Sequence, residues 1–121
     1  MDRVLLVEDD FITNLALREC LEGAGFEVEP AFSGQGALAV IKRRPPRSLV
    51  TDLNLGPGPD GFEVARYART VRPDVRVVFV SSERGRAEDV DTFGDAAFIA
   101  KPCRGEQIVQ ALRSPPVLAA A

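Results

Sequence analysis

Short apolar runs alternate with longer amphipathic segments along the chain. Five such runs predict β-strands, at residues 3–7, 27–31, 48–51, 76–80 and 97–100. Strands that alternate with helices form a parallel sheet covered by helices on both of its faces. The pattern therefore predicts a doubly wound α/β domain.

The segments between the strands carry apolar residues at three- and four-residue steps, as amphipathic helices do. The longer predicted helices span residues 11–24, 34–43, 61–71 and 104–113. Ser33 is the expected N-cap of the second of these. A short additional helix, fourth in chain order, is predicted at residues 86–93 between two glycines.

Length and charge narrow the class of protein. A chain of 121 residues favours one domain, which we place at residues 1–113, followed by a flexible tail at residues 114–121. We find neither a run of roughly 18 apolar residues nor a signal peptide, so we expect a cytoplasmic protein that does not contact membranes. The net charge of −3, from 15 basic and 18 acidic residues, disfavours direct binding to nucleic acid. The basic cluster at residues 42–47 is interpreted as a solvated helix end.

The chain contains no histidine, which excludes histidine-dependent nucleophiles, histidine metal ligands and a phosphohistidine on this chain. Any phosphoryl chemistry must therefore use carboxylates. Cys20 and Cys103 lie far apart in sequence, and we interpret both as packed thiols.

Polar residues follow four of the predicted strands, and in a doubly wound fold the ligand site lies at these carboxyl ends. They are Glu8, Asp9 and Asp10 after the first strand, Asp52 after the third, Ser81 and Ser82 after the fourth, and Lys101 and Pro102 after the fifth. Each residue alone is explained as a helix cap or a turn. Together they predict a cluster of carboxylates, which requires a cation, and oxygen ligands without histidine or thiolate favour Mg²⁺.

Four segments resemble, in order and spacing, the motifs of the receiver domain of bacterial two-component response regulators. They are residues 4–10 (VLLVEDD), 49–52 (LVTD), 77–82 (VVFVSS) and 98–102 (FIAKP). The resemblance covers residues 3–113 and implies a flavodoxin-like, five-stranded parallel sheet of order 2-1-3-4-5. It also implies a phosphorylation switch that is not an enzyme acting on other substrates. Its phosphoryl donor would be a histidine kinase or a histidine phosphotransfer protein.

The resemblance assigns roles to single residues at the predicted site. It implies that Asp52 accepts the phosphoryl group and also binds Mg²⁺. The remaining metal ligands would be Asp9, Glu8 and the backbone carbonyl of Asn54. Ser81 would hydrogen-bond the phosphoryl oxygens, and Lys101 would form an ion pair with them.

Further roles implied by the resemblance concern switching and decay. Ser81 and Phe98 would switch together, and Asn54 and Glu83 would tune dephosphorylation. A downstream protein would bind the predicted helix at residues 86–93, the fifth strand and the last helix. Asp10 falls outside the usual acidic pair, and we expect it to cap the first helix.

Three alternatives remain open on the sequence. The loop after Asp52 is one residue longer than is usual, and the predicted helix at residues 86–93 is short, which would also suit a scaffold that signals without phosphate. An aspartyl-phosphate hydrolase of the haloacid dehalogenase type is disfavoured because Asn54 stands where such enzymes have a second acid. The chain would also suit a receiver fragment of a hybrid histidine kinase.

Overall fold

The computed structural model describes residues 2–82 and 93–114. Within these ranges the chain forms β1 (Arg3–Val7), α1 (Phe11–Gly23), β2 (Glu27–Ala31), α2 (Gly34–Arg43), β3 (Ser48–Asp52), α3 (Gly61–Val71), β4 (Arg76–Ser81), β5 (Ala97–Ala100) and α4 (Gly105–Arg113). The predicted helix at residues 86–93 lies outside the described residues except for its last position, as does the tail beyond Ser114.

The strands form one parallel sheet in the order β2-β1-β3-β4-β5, which confirms the predicted topology. Two strands end one residue later than predicted, because Asp52 pairs with Val80 and Ser81 pairs with Ala100. A polar side chain does not interrupt backbone pairing, so the apolar run ends before the strand does. At the helices the differences are equally small: α1 ends at Gly23 and α4 begins at Gly105.

Alternate side chains of each central strand enter two separate cores. In β1, Leu5 and Val7 face α2 and α3, whereas Val4 and Leu6 face α1 and α4. Ile41 of α2 is fully buried in the first core. Helices therefore cover both faces of the sheet, which explains why the central strands are apolar runs without polar alternation.

Three helices begin at the carboxyl edge of the sheet with a side-chain cap. Asp10 accepts a hydrogen bond from the Thr13 N–H at 3.1 Å, and Ser33 accepts one from the Gly36 N–H at 3.0 Å. Asp60 caps α3 in the same way. The predicted caps at Asp10 and Ser33 are confirmed.

Strand β2 forms one edge of the sheet and carries charged side chains along it. Glu29 forms ion pairs with Arg3, at 2.8 Å, and with Arg43. Pro30 lies within the same strand. The arginines at the end of α2 are thus paired with acids of β2, in agreement with their interpretation as a solvated helix end.

In the described part of the chain, no helix is long and apolar enough to cross a membrane. Both cysteines are partly buried free thiols, and Cys103 packs against the core beneath α1 and α4.

Candidate functional site

Three carboxylates converge at the carboxyl edge of the sheet. Glu8 and Asp9 directly follow β1, and Asp52 ends the adjacent strand β3. One carboxylate oxygen from each lies within 4.8 Å of the other two. The structure therefore brings together the three acidic side chains that the sequence places at a metal site, and Asn54 follows them in the exposed loop after β3.

The side chain of Lys101 forms hydrogen bonds with two of these acids. It follows β5, and its Nζ donates hydrogen bonds to Glu8 Oε1 at 2.5 Å and to Asp52 Oδ2 at 2.8 Å. Its backbone N–H donates to the Ser81 carbonyl at 2.9 Å, which holds the residue against β4. One ammonium group thus faces three carboxylates, and a negative charge excess is left for a cation to neutralise.

Burial and hydrogen bonding to an oppositely charged partner shift the pKa values of Glu8 and Lys101 in opposite directions. Burial of Glu8 raises the pKa of its carboxyl, although hydrogen bonds from Lys101 and from the Asp10 N–H act against that shift. Partial burial by itself lowers the pKa of Lys101, but its hydrogen bonds to Asp52 and Glu8 outweigh burial and raise it. Lys101 therefore remains a cation throughout the neutral range.

The Asp52 carboxylate is held on both of its oxygens. Oδ2 accepts from Lys101, and Oδ1 accepts from the Asn54 N–H at 3.2 Å. The loop between β3 and α3 ends close to where it begins, because the Gly61 N–H donates a hydrogen bond to the Leu53 carbonyl at 2.9 Å. Gly56 and Gly58 adopt positive φ angles of 76° and 97°, which lets this loop turn sharply.

Ser81 and Phe98 lie on the neighbouring strands. Ser81 is buried at the end of β4, one position beyond the residue that pairs with Asp52. The Phe98 ring of β5 packs on Phe79, with centroids 4.8 Å apart, yet Phe98 remains 37% exposed. Ser81 therefore lies next to the acidic site, whereas Phe98 pairs with Phe79, two positions before Ser81 in β4. Glu83 lies outside the described residues.

Asp10 does not join the carboxylate cluster. Its side chain accepts hydrogen bonds from both the Thr13 hydroxyl and the Thr13 N–H, which together lower the pKa of Asp10. The residue therefore acts as a helix cap, as predicted.

Sequence reasoning missed two features of this edge. Asn14 is 1% exposed and reaches from α1 to the backbone behind Glu8. Asn14 lies three residues before Leu17 and so falls on the inward face of α1. That spacing could have identified it as a buried polar residue. In addition, the exposed rings of Phe11, at the start of α1, and Phe32, directly after β2, stack with centroids 5.9 Å apart.

The family model for the response regulator receiver domain matches residues 4–113. The chain belongs to this family. The receiver domain is 35% identical over 104 residues to the response regulator receiver protein CpdR of Brucella abortus, which covers 84% of this chain and 86% of CpdR. It is 34% identical over 111 residues to the acid tolerance regulatory protein ActR of Sinorhizobium medicae, covering 90% of this chain but only 57% of ActR.

A solved structure supports the same assignment. The response regulator receiver protein from Sinorhizobium medicae WSM419 superimposes on this receiver domain with a TM-score of 0.81 and 31% identity, covering 91% of this chain and 90% of the other. The chain is therefore a receiver domain of two-component signalling with a flavodoxin-like fold.

Proposed function

We propose that Asp52 accepts a phosphoryl group from a phosphohistidine on a histidine kinase or a histidine phosphotransfer protein. In this reaction a carboxylate oxygen of Asp52 forms a bond to phosphorus while the bond between phosphorus and the imidazole nitrogen breaks. The imidazole keeps the electron pair of that bond. The observation that carries the proposal is the convergence of Glu8, Asp9 and Lys101 on Asp52.

The site suits this reaction because phosphoryl transfer depends mainly on positioning and on neutralising charge. Lys101 Nζ lies 2.8 Å from the Asp52 carboxylate, so its charge is already where the phosphoryl oxygens would gather. The Ser81 hydroxyl is proposed to donate a hydrogen bond to one of those oxygens. Hydrogen bonds at both oxygens keep the Asp52 side chain in one orientation before the donor arrives.

The acidic cluster fits Mg²⁺ by its chemistry. Its donors are carboxylate oxygens within 4.8 Å of one another, and it lacks the histidine or thiolate ligands that select softer metals. Glu8, Asp9 and Asp52 would hold the ion together with the backbone carbonyl of Asn54. When bound, Mg²⁺ supplies positive charge beside the phosphoryl group.

Phosphorylation is proposed to act through protein contacts rather than through catalysis on another substrate. Ser81 and Phe98 would move together, and the output face would include β5 and α4 together with residues 86–93, of which only Phe93 lies within the described ranges. Partial exposure of the Phe98 ring supports this, because the ring has an outward position from which it can turn. We also propose that the protein donor covers the exposed edge that carries Phe11, and that the protein acts in the cytoplasm.

Intact-mass analysis after incubation with acetyl phosphate and Mg²⁺ tests the phosphoacceptor. The wild type should gain one phosphoryl group, and Asp52→Asn should gain none. Asp10→Asn is the matched control, because Asp10 lies at the same edge but caps α1 outside the cluster. It should be phosphorylated like the wild type.

Phosphorylation of neither the wild type nor the control would contradict the proposal and support the phosphate-independent scaffold. Phosphorylation of Asp52→Asn would place the acceptor elsewhere. The proposal is the same for a separate chain and for a receiver domain within a longer kinase.

A further inference from the structure

Asn14 connects three elements behind the acidic cluster. It lies on α1, and its side-chain Nδ2 donates to the Glu8 carbonyl at 3.0 Å and to the Ala31 carbonyl at 3.1 Å. Glu8 follows β1, and Ala31 ends β2. A primary amide nitrogen has two hydrogens, so both donors of the Asn14 amide are used.

These bonds are made where water cannot replace them. Asn14 is 1% exposed and Glu8 is 3% exposed. A buried carbonyl that loses its donor carries the full cost of desolvation. The Ala31 carbonyl also accepts from the Glu8 N–H at 3.1 Å, so it keeps a partner without Asn14. The Glu8 carbonyl is therefore the group that depends on Asn14.

The Glu8 carbonyl belongs to the peptide unit that joins Glu8 to Asp9. Its orientation sets the direction in which the Asp9 side chain leaves the backbone. The Glu8 carboxylate has its own restraints, from Lys101 and from the Asp10 N–H. Asp9 is exposed, so surrounding side chains restrain it less than they restrain Glu8. The orientation of the Glu8–Asp9 peptide therefore has more influence on where the Asp9 carboxylate lies.

From this geometry we infer that Asn14 is a positioning residue for the acidic cluster, acting on Asp9 through the Glu8 carbonyl. The inference rests on the proposed function, because it assigns Asp9 to the metal site. Loss of a partner that orients a metal ligand typically weakens metal binding by about 10- to 100-fold. For Asn14→Leu, which keeps the approximate size but removes both donors, we expect Mg²⁺ affinity to fall by about tenfold.

The test measures Mg²⁺ binding by isothermal titration calorimetry without any phosphoryl donor. The control is Leu21→Ala, a fully buried position seven residues further along the inward face of α1. It damages packing under the same helix without touching the Glu8 peptide. Asn14→Leu should weaken Mg²⁺ binding, and Leu21→Ala should leave it close to the wild-type value.

A second measurement separates affinity from chemistry. With acetyl phosphate, Asn14→Leu should require about tenfold more Mg²⁺ for its half-maximal rate of phosphorylation, while the rate at saturating Mg²⁺ stays near that of the wild type. Unchanged Mg²⁺ affinity in Asn14→Leu, or an equal loss in Leu21→Ala, would overturn the inference. If Asn14→Leu does not fold, Asn14→Ser, which keeps one donor, is compared with the same control under the same criteria.

The two proposals fail in different ways. A wild type that binds Mg²⁺ but is not phosphorylated contradicts the proposed function, and the affinity comparison between the variants still decides the role of Asn14. A wild type that does not bind Mg²⁺ overturns the inference itself.

Discussion

Gly61, the first residue of α3, has no room for a side chain. A Cβ added there would lie 2.1 Å from the Asp52 carbonyl oxygen and 2.9 Å from the Leu53 Cα. Both contacts are with backbone atoms, which cannot turn aside as a flexible side chain can. Gly61→Ala must therefore push the start of α3 away from the residue that we propose as phosphoacceptor.

The size of the effect follows from these distances. Relief of the contact requires a shift of about 1 Å in a closely packed region, and overpacking of this kind typically costs about 1–3 kcal/mol. Alanine recovers part of that cost, because it favours a helix over glycine by up to about 1 kcal/mol. We expect Gly61→Ala to lower the free energy of unfolding by about 1 kcal/mol. Because misplacement by about 1 Å can slow a reaction by about 100-fold, phosphorylation of Asp52 should slow as well.

Urea denaturation gives the stability change, and intact-mass time courses with acetyl phosphate and Mg²⁺ give the rate. Gly23→Ala is the matched control, since Gly23 ends α1 and a Cβ there meets nothing within 4 Å. It should be neutral or stabilising by up to about 1 kcal/mol. The reasoning is refuted if Gly61→Ala stays within about 0.5 kcal/mol of the wild type and is phosphorylated at the same rate.

Further predictions concern the cation, the α1 cap and the loop. At about 100 times its dissociation constant, Mg²⁺ should stabilise the fold by roughly 2.7 kcal/mol, so a thermal melt should rise with Mg²⁺. Asp9→Asn should lose that response, and an unchanged response would remove Asp9 from the site. Asp10→Ala should be less stable than the wild type at neutral pH, because the pKa of Asp10 is lowered in the folded state by Thr13. A group of this kind stabilises the fold above its unfolded pKa, so the difference in urea denaturation should shrink as the pH falls through the lowered pKa. A gap that is constant with pH would contradict this. Asn54→Leu should slow the loss of the phosphoryl group from Asp52 by hindering the approach of water, and an unchanged decay in an intact-mass time course would exclude that role.

The fold could be predicted from the sequence because helices bury the central strands β1, β3 and β4 on both faces. That burial makes the central strands largely continuous apolar runs, and only their polar ends at Asp52 and Ser81 lay outside the predicted bounds. The acidic cluster was predictable for a related reason. Parallel strands bring their carboxyl ends to one edge, so Glu8, Asp9 and Asp52 had to be neighbours.

Other features of the site depend on contacts that a linear pattern does not contain. In the sequence, an asparagine on the inward face of a helix only interrupts the apolar pattern. Its role becomes clear from the structure, in which Asn14 donates hydrogen bonds to the Glu8 and Ala31 carbonyls. The partial exposure of Phe98 depends on how β5 lies against β4. The close approach of Gly61 to Asp52 depends on the path of a loop whose glycines permit several paths.

The charged edge of β2 also bears on how this protein behaves at high concentration. An open sheet edge offers unpaired N–H and carbonyl groups to a strand of another molecule and so promotes aggregation. The Glu27 N–H donates inward to the Asp2 carbonyl. In a parallel pair the backbone groups of alternate residues face opposite sides, so the backbone groups of Val28 and Pro30 face outward. Proline has no N–H to offer there. A second chain that approached this edge would meet a missing donor at Pro30 and the charged side chains of Glu27 and Glu29, so the sheet resists growth in that direction.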